Sequence, residues 1–211
     1  MHMPPQVPEP EEDHRVAAFY ERLVDRHGVH PRAVDWGSRA SQQKRFDILA
    51  EIGDLPGCSV LDVGCGLADL YAYLESAEKA VSYTGYDISP AILEAARKRF
   101  PNLDLRQADL MREEVAPPRF DFVFASGIFH LRPKGSYAYL EAMTRRMYRS
   151  CRRGVALNSL SARSNVIEPD KFVAEPTKVL DICLDITPNV VLRHDYLPHD
   201  FTVYLYKSAS Q

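Results

Sequence analysis

Apolar and polar positions alternate along this chain in two periods. Short apolar runs of strand length are separated by longer stretches with apolar residues at helical spacing. The strand runs are Val60 to Val63, Val81 to Tyr86, Leu103 to Gln107, Phe120 to Ala125 and Val155 to Leu160. Between them, Ser89 to Phe100 and Lys134 to Arg149 read as helices, the first with Arg97, Lys98 and Arg99 in its last turn. A polar stretch around Ser161 to Pro169 precedes a helix expected over Asp170 to Ile186. Two β-rich runs follow, Asn189 to Tyr196 and Phe201 to Lys207, joined by Leu197-Pro-His-Asp, a connection fit for a hairpin and too short for a crossover helix. Alternating strands and helices predict an α/β fold around a parallel sheet.

The chemistry concentrates where the first strand ends. Val60-Leu-Asp-Val-Gly-Cys-Gly-Leu-Ala runs straight into Gly64 and Gly66, a tight turn where backbone N–H groups can approach a ligand and no side chain intervenes. A nucleotide-like ligand is expected. The dinucleotide pattern G-x-G-x-x-G fails here, because Asp69 puts a large anion where a pyrophosphate would sit. Read as Asp-x-Gly-x-Gly-x-Ala, the residues Asp62, Gly64, Gly66 and Ala68 resemble motif I of the class I S-adenosylmethionine-dependent methyltransferases, with Ala68 in place of the commoner third glycine.

Later segments repeat the resemblance in order, over roughly residues 38 to 207. Asp87 closes the second strand, where an acid can take both ribose hydroxyls, or else serve as a helix cap, although Ser89 is better placed for that. Asp109, after the third strand, resembles the acid that bonds the adenine amino group, and otherwise reads as an ordinary turn aspartate. Ala125, Ser126 and Gly127 resemble motif IV. The resemblance implies S-adenosyl-L-methionine as cofactor, held by Asp62, Gly64, Cys65, Gly66, Asp87, Ile88, Asp109, Leu110 and Ser126. It also implies a doubly wound seven-stranded sheet, mostly parallel with an antiparallel last strand, flanked by helices.

Glu11 to His27 reads as an amphipathic helix with Val16, Phe19, Tyr20, Leu23 and Val24 on one side, and Ser38 as an N-cap for the helix leading to strand one. In similar enzymes this region covers the cofactor, so residues 1–37 are expected to form a flexible segment and helical lid, and 38–211 the methyltransferase domain. Trp36, Arg39 and Gln42 are then candidates to cover the sulfonium and hold the carboxylate. The alternative is a plain helix start with a buried tryptophan.

Composition narrows the partners. The 211 residues carry a net charge of −3, unlike the basic face of a nucleic-acid enzyme. Arg145, Arg146, Arg149, Arg152 and Arg153 cluster, and read as the solvated end of one helix. The base- and amide-nitrogen signature Asn/Asp-Pro-Pro-aromatic is absent from the motif IV segment. Neither a transmembrane run nor a signal segment is seen, and the four cysteines have no metal-like spacing, so a reduced cytoplasmic protein without zinc is expected, a monomer or homodimer.

A sulfonium methyl is already electrophilic, so catalysis rests on holding a nucleophile in line and excluding water. A base is needed only for a protonated acceptor, and His130 is the candidate, on the loop after the fourth strand with an ordinary pKa of about 6.5. It could equally pack beside Phe129 or cap the next helix. His194 and His199 are weaker candidates at a hairpin whose tip can face away from the site, and Tyr20 and Arg132 could orient a substrate. The expected function is methyl transfer to the O, N or C nucleophile of a small molecule. The alternatives are a protein or ribosomal target docked on the arginine cluster, and an inactive cofactor-binding module.

Overall fold

A computed structural model describes residues 39–112, 118–131, 136–164 and 171–208, together with Arg15, Ala18, Phe19 and Arg22, which are helical. The expected lid helix, Trp36 and the Ser38 cap otherwise lie outside the described residues. So do Tyr20 and Arg132.

The strands are β1 (Ser59–Val63), β2 (Ser82–Asp87), β3 (Asp104–Gln107), β4 (Phe120–Ala125), β5 (Cys151–Leu160), β6 (Val190–Leu197) and β7 (Asp200–Tyr206). They form one sheet in the order β3-β2-β1-β4-β5-β7-β6. Pairing is parallel from β3 to β5, while β7 runs antiparallel to both β5 and β6. The expected seven-stranded sheet is thus borne out. Its strand order reverses direction between β1 and β4, the point at which open α/β sheets bind ligands at their carboxyl edge.

Helices cover both faces: α1 (Arg39–Leu49), α2 (Asp69–Ser76) and α3 (Pro90–Arg99) on one, α4 (Ser136–Ser150) and α5 (Pro176–Leu184) on the other. Both faces are buried, which is why β4 reads as an almost unbroken apolar run: Phe122 and Phe124 pack on the α1–α3 side, Val123 and Ala125 on the other. Ser89 caps α3, its hydroxyl accepting the Ile92 N–H at 3.4 Å, with Pro90 at the first helical position. No helix among the described residues is long and apolar enough to cross a membrane.

Three expectations change. The helix expected from Asp170 begins only at Pro176, because Ala174 bonds Leu160 and Ala162 through its backbone and makes an isolated bridge with Ser161. Strand β5 starts at Cys151 rather than Val155, so Arg152 and Arg153 belong to a strand and not to the end of α4. The β6–β7 tip does not face away from the carboxyl edge: Asp200 pairs with Leu160 at the end of β5, and Ser161 N donates to the His199 carbonyl at 2.9 Å.

Candidate functional site

The turn after β1 carries three left-handed residues, Gly64 (φ 72°), Gly66 (φ 54°) and Ala68 (φ 58°). Ala68 stands immediately before α2 and pays the left-handed penalty of about 1–2 kcal/mol that a glycine would avoid. The turn's amides are turned inward. Gly64 N and Cys65 N both donate to the Tyr86 carbonyl at 2.8 and 2.9 Å, Gly66 N donates to Asp87 Oδ2 at 2.9 Å, and Ala68 N to the Cys65 carbonyl at 2.9 Å. The expectation that these N–H groups approach a ligand is therefore corrected, since three of the donors hold the turn against β2 and the fourth, Ala68 N, closes the turn on itself. Even the missing side chain at Gly64 faces protein, because a Cβ there would run into Ile128 Cγ2 on the loop after β4.

Asp87 is the hinge of this arrangement. Its Oδ2 takes Gly66 N and its Oδ1 takes Ser89 N, each at 2.9 Å, so one carboxylate ties motif I to the start of α3. Burial raises its pKa, and the N–H groups of Ser89, Gly66 and Ile88 pull it back down. Two oxygens offer about four acceptor sites, so these bonds leave capacity for a further donor such as a ribose hydroxyl at the carboxyl end of β2. Ile88 is half-buried beside it.

Asp62 lies deeper, where its Oδ2 accepts the Tyr83 hydroxyl at 2.6 Å. Burial pushes its carboxyl up to about 7; the Tyr83 bond opposes this, and the nearby charges of Asp87 and Asp69 add to it. Cys65 turns its thiol into the core against Gly85, where a Cβ would meet the sulfur at 2.8 Å. Leu110 is likewise a core side chain, and its carbonyl takes Arg146 Nη1 at 3.0 Å. Neither side chain is left to meet a ligand, and the Cys65 backbone is itself bonded to Tyr86 and Ala68. Asp109 bonds locally, to Met111 N at 2.8 Å and Arg112 Nε at 3.1 Å, as a turn aspartate does.

The lid candidates divide. Arg39 is exposed at the start of α1, whereas Gln42 is buried and donates to Asp69 Oδ2 at 3.0 Å. Asp69 also pairs with Arg99, whose Nη1 reaches the Leu67 carbonyl at 3.2 Å, so α1, α2 and α3 meet at one carboxylate. Three residues further along α1, buried Arg45 pairs with buried Asp200 at the hairpin tip, and His199 Nε2 lies 3.3 Å from the same carboxylate.

On the far side, Ser126 and Gly127 are held by Asn158 of β5. The Asn158 amide donates to Ser126 Oγ and accepts from Gly127 N, both at 3.0 Å. Asn158 belongs to none of the motifs, and its one signal in the sequence is a lone amide inside the strand Val155-Ala-Leu-Asn-Ser-Leu. His130 follows on the same loop, half-buried, with its carbonyl accepting Phe172 N at 2.8 Å. Phe129 beside it is buried against Tyr139, the rings 6.0 Å apart.

This is a cofactor site at a sheet's switch point, bounded by the loops after β1, β2 and β4. A family model described as a methyltransferase domain matches residues 60–154. The chain is 32% identical over 158 residues to Rv1506c of Mycobacterium tuberculosis, described as a methyltransferase, a match covering 72% of this chain and 94% of that one. A trans-aconitate 2-methyltransferase of Methylobacterium nodulans is 31% identical over 87 residues, 41% of this chain, and the match covers 33% of that enzyme's length. In fold, magnesium protoporphyrin IX methyltransferase of Synechocystis PCC 6803, solved with S-adenosylmethionine bound, superposes with a TM-score of 0.70 at 16% identity, covering 96% of this chain and 100% of that one. The chain belongs to the class I S-adenosylmethionine-dependent methyltransferases, and S-adenosylmethionine is its cofactor. When bound, that cofactor supplies a methyl group on a sulfonium, an electrophile that needs no further activation.

Proposed function

We propose that this protein methylates a small organic molecule by in-line displacement. The observation that carries this reading is where the arginines sit. The outer three of the cluster, Arg149, Arg152 and Arg153, lie at the end of α4 and the start of β5, at the sheet edge opposite the strands' carboxyl ends. From Arg152 to Leu160 along β5 is roughly 26 Å at about 3.3 Å per residue. A macromolecule docked on those arginines would be far from the methyl donor. Four of the cluster's five arginines are also engaged: Arg145 with Glu141, Arg146 with the Leu110 carbonyl on the loop after β3, Arg152 with Asp121, and Arg153 with Cys58 and the Phe122 ring.

The trans-aconitate relatives point toward a small carboxylate-bearing acceptor, over the two-fifths of this chain that they match. In this reading Asp87 holds the ribose, the loop Ser126 to His130 borders the acceptor, and His130 removes a proton where the acceptor carries one. Four free, buried cysteines support a reducing, cytoplasmic setting.

The test is a screen of small di- and tricarboxylic acids, hydroxy acids and phenols with S-adenosylmethionine, read by S-adenosylhomocysteine release and mass of the product. Turnover of at least one small acceptor is expected. With that acceptor, His130→Asn should slow turnover by roughly 10²–10⁴-fold with cofactor affinity kept. Methylation of a protein or ribosomal fraction, with every small acceptor inert, would overturn the reading.

A further inference from the structure

We infer that Asn158 is a positioning residue of the methyl-transfer site, fixing the peptide between Ser126 and Gly127 and through it the wall of the cofactor cleft. The backbone pairing of β4 with β5 ends at Ala125 opposite Leu157. One residue further, the chain after β4 leaves the sheet, and the ladder is continued by a side chain. Asn158 is 2% exposed and spends both ends of its amide on this loop, Nδ2 on Ser126 Oγ and Oδ1 on Gly127 N. The two bonds fix the amide's orientation, because reversing it would set Nδ2 against the Gly127 N–H.

Gly127 has φ 76°, a left-handed conformation that gives the loop its sharp departure from the sheet. Its N–H points to β5 and the peptide is trans, so the Ser126 carbonyl is directed the opposite way, toward the β1 side of the cleft. The next residue, Ile128, places its Cγ2 so close to Gly64 that a Cβ there would clash with it. Asn158 therefore sets the distance between the two loops that face each other across the switch point, although it lies behind one of them. A residue that only filled space here would be apolar like Ala156 and Leu160, two positions away on the same face of β5. A buried amide with both ends satisfied is directional, and its loss strands two polar groups on the loop.

The inference rests on the cofactor site and not on the acceptor, so it is tested with S-adenosylhomocysteine alone. Asn158→Leu keeps the volume and removes both bonds. Asn158→Asp keeps the acceptor for Gly127 N, and the Ser126 hydroxyl can turn to donate to it. For Asn158→Leu, amide exchange at Gly127 and Ile128 should accelerate and S-adenosylhomocysteine affinity should fall, each by roughly ten- to a hundredfold, what two such bonds are worth. Exchange in β1 and β5 should stay as in the parent chain, and Asn158→Asp should recover most of both losses. If Asn158→Leu does not fold, Ser126→Ala removes one bond and should still speed exchange at Gly127 severalfold. The inference is overturned by unchanged affinity, by faster exchange spread over the whole sheet, by failure of Asn158→Asp to rescue, or by no change in Ser126→Ala. A parent chain that binds S-adenosylhomocysteine yet methylates no small acceptor would overturn the proposed function and leave this inference standing.

Discussion

At the scale of single residues, the carboxylates near motif I act on one another and on the turn before they act on any ligand. Asp62 is the clearest case, because its buried carboxyl is raised from 3.8 to about 7 while facing Asp87 and Asp69. The folded state holds this proton more tightly than the unfolded chain, so the stabilisation is complete below pH 3.8. It is lost as pH rises toward 7 and changes little beyond. Asp62→Asn keeps an acceptor for Tyr83 and removes the charge. Relative to the parent, the variant should gain stability between pH 4 and pH 8 by about 2–4 kcal/mol, the worth of a shift of this size at about 1.4 kcal/mol per unit. Urea unfolding at the two pH values checks it, and a difference independent of pH would reject it. Asp87 differs, since its oxygens brace Gly66 and Ser89, and its loss would loosen the turn as well as the proposed ribose contact.

At the scale of elements, α1 is fastened at two points by buried polar side chains. Gln42 holds Asp69 on α2, and one turn on, Arg45 holds Asp200 at the β6–β7 tip, their side chains 8% and 2% exposed. A buried pair adds little over an apolar contact, but removing one partner leaves a bare charge. Asp200→Ala should thus cost about 3–5 kcal/mol in urea unfolding, and adding Arg45→Met should restore a large part of that loss. Additive losses would show that the two side chains do not depend on each other. The hairpin tip that carries Asp200 sits at the carboxyl edge because β7 is antiparallel and begins where β5 ends.

For the whole molecule, every strand among the described residues and all of α1 to α5 lie beyond residue 37. Removing residues 1–37 should leave the sheet folded, with an unchanged urea slope, and weaken S-adenosylhomocysteine at least about tenfold if the segment covers the cofactor. Calorimetry that finds full affinity in the shortened chain would show that it is no lid.

What the sequence determined on its own is what local physics encodes. Strand and helix periods, the Ser89-Pro90 helix start and the glycines after β1 each follow from residues close in the chain, and together they specified the sheet and its family. The tertiary structure decided the partners. Whether a buried acid braces a turn or faces a ligand depends on what a distant strand brings within 3 Å, and spacing in sequence carries no trace of that. Hence Asp62 met Tyr83, Gln42 met Asp69, and Asn158 met Gly127, 31 residues away. The arginines divided for the same reason. Where α4 stops and β5 begins is set by pairing to β4, and Cys151 opposite Phe120 draws Arg152 and Arg153 into the strand, a long-range choice that helix propensity could not foresee.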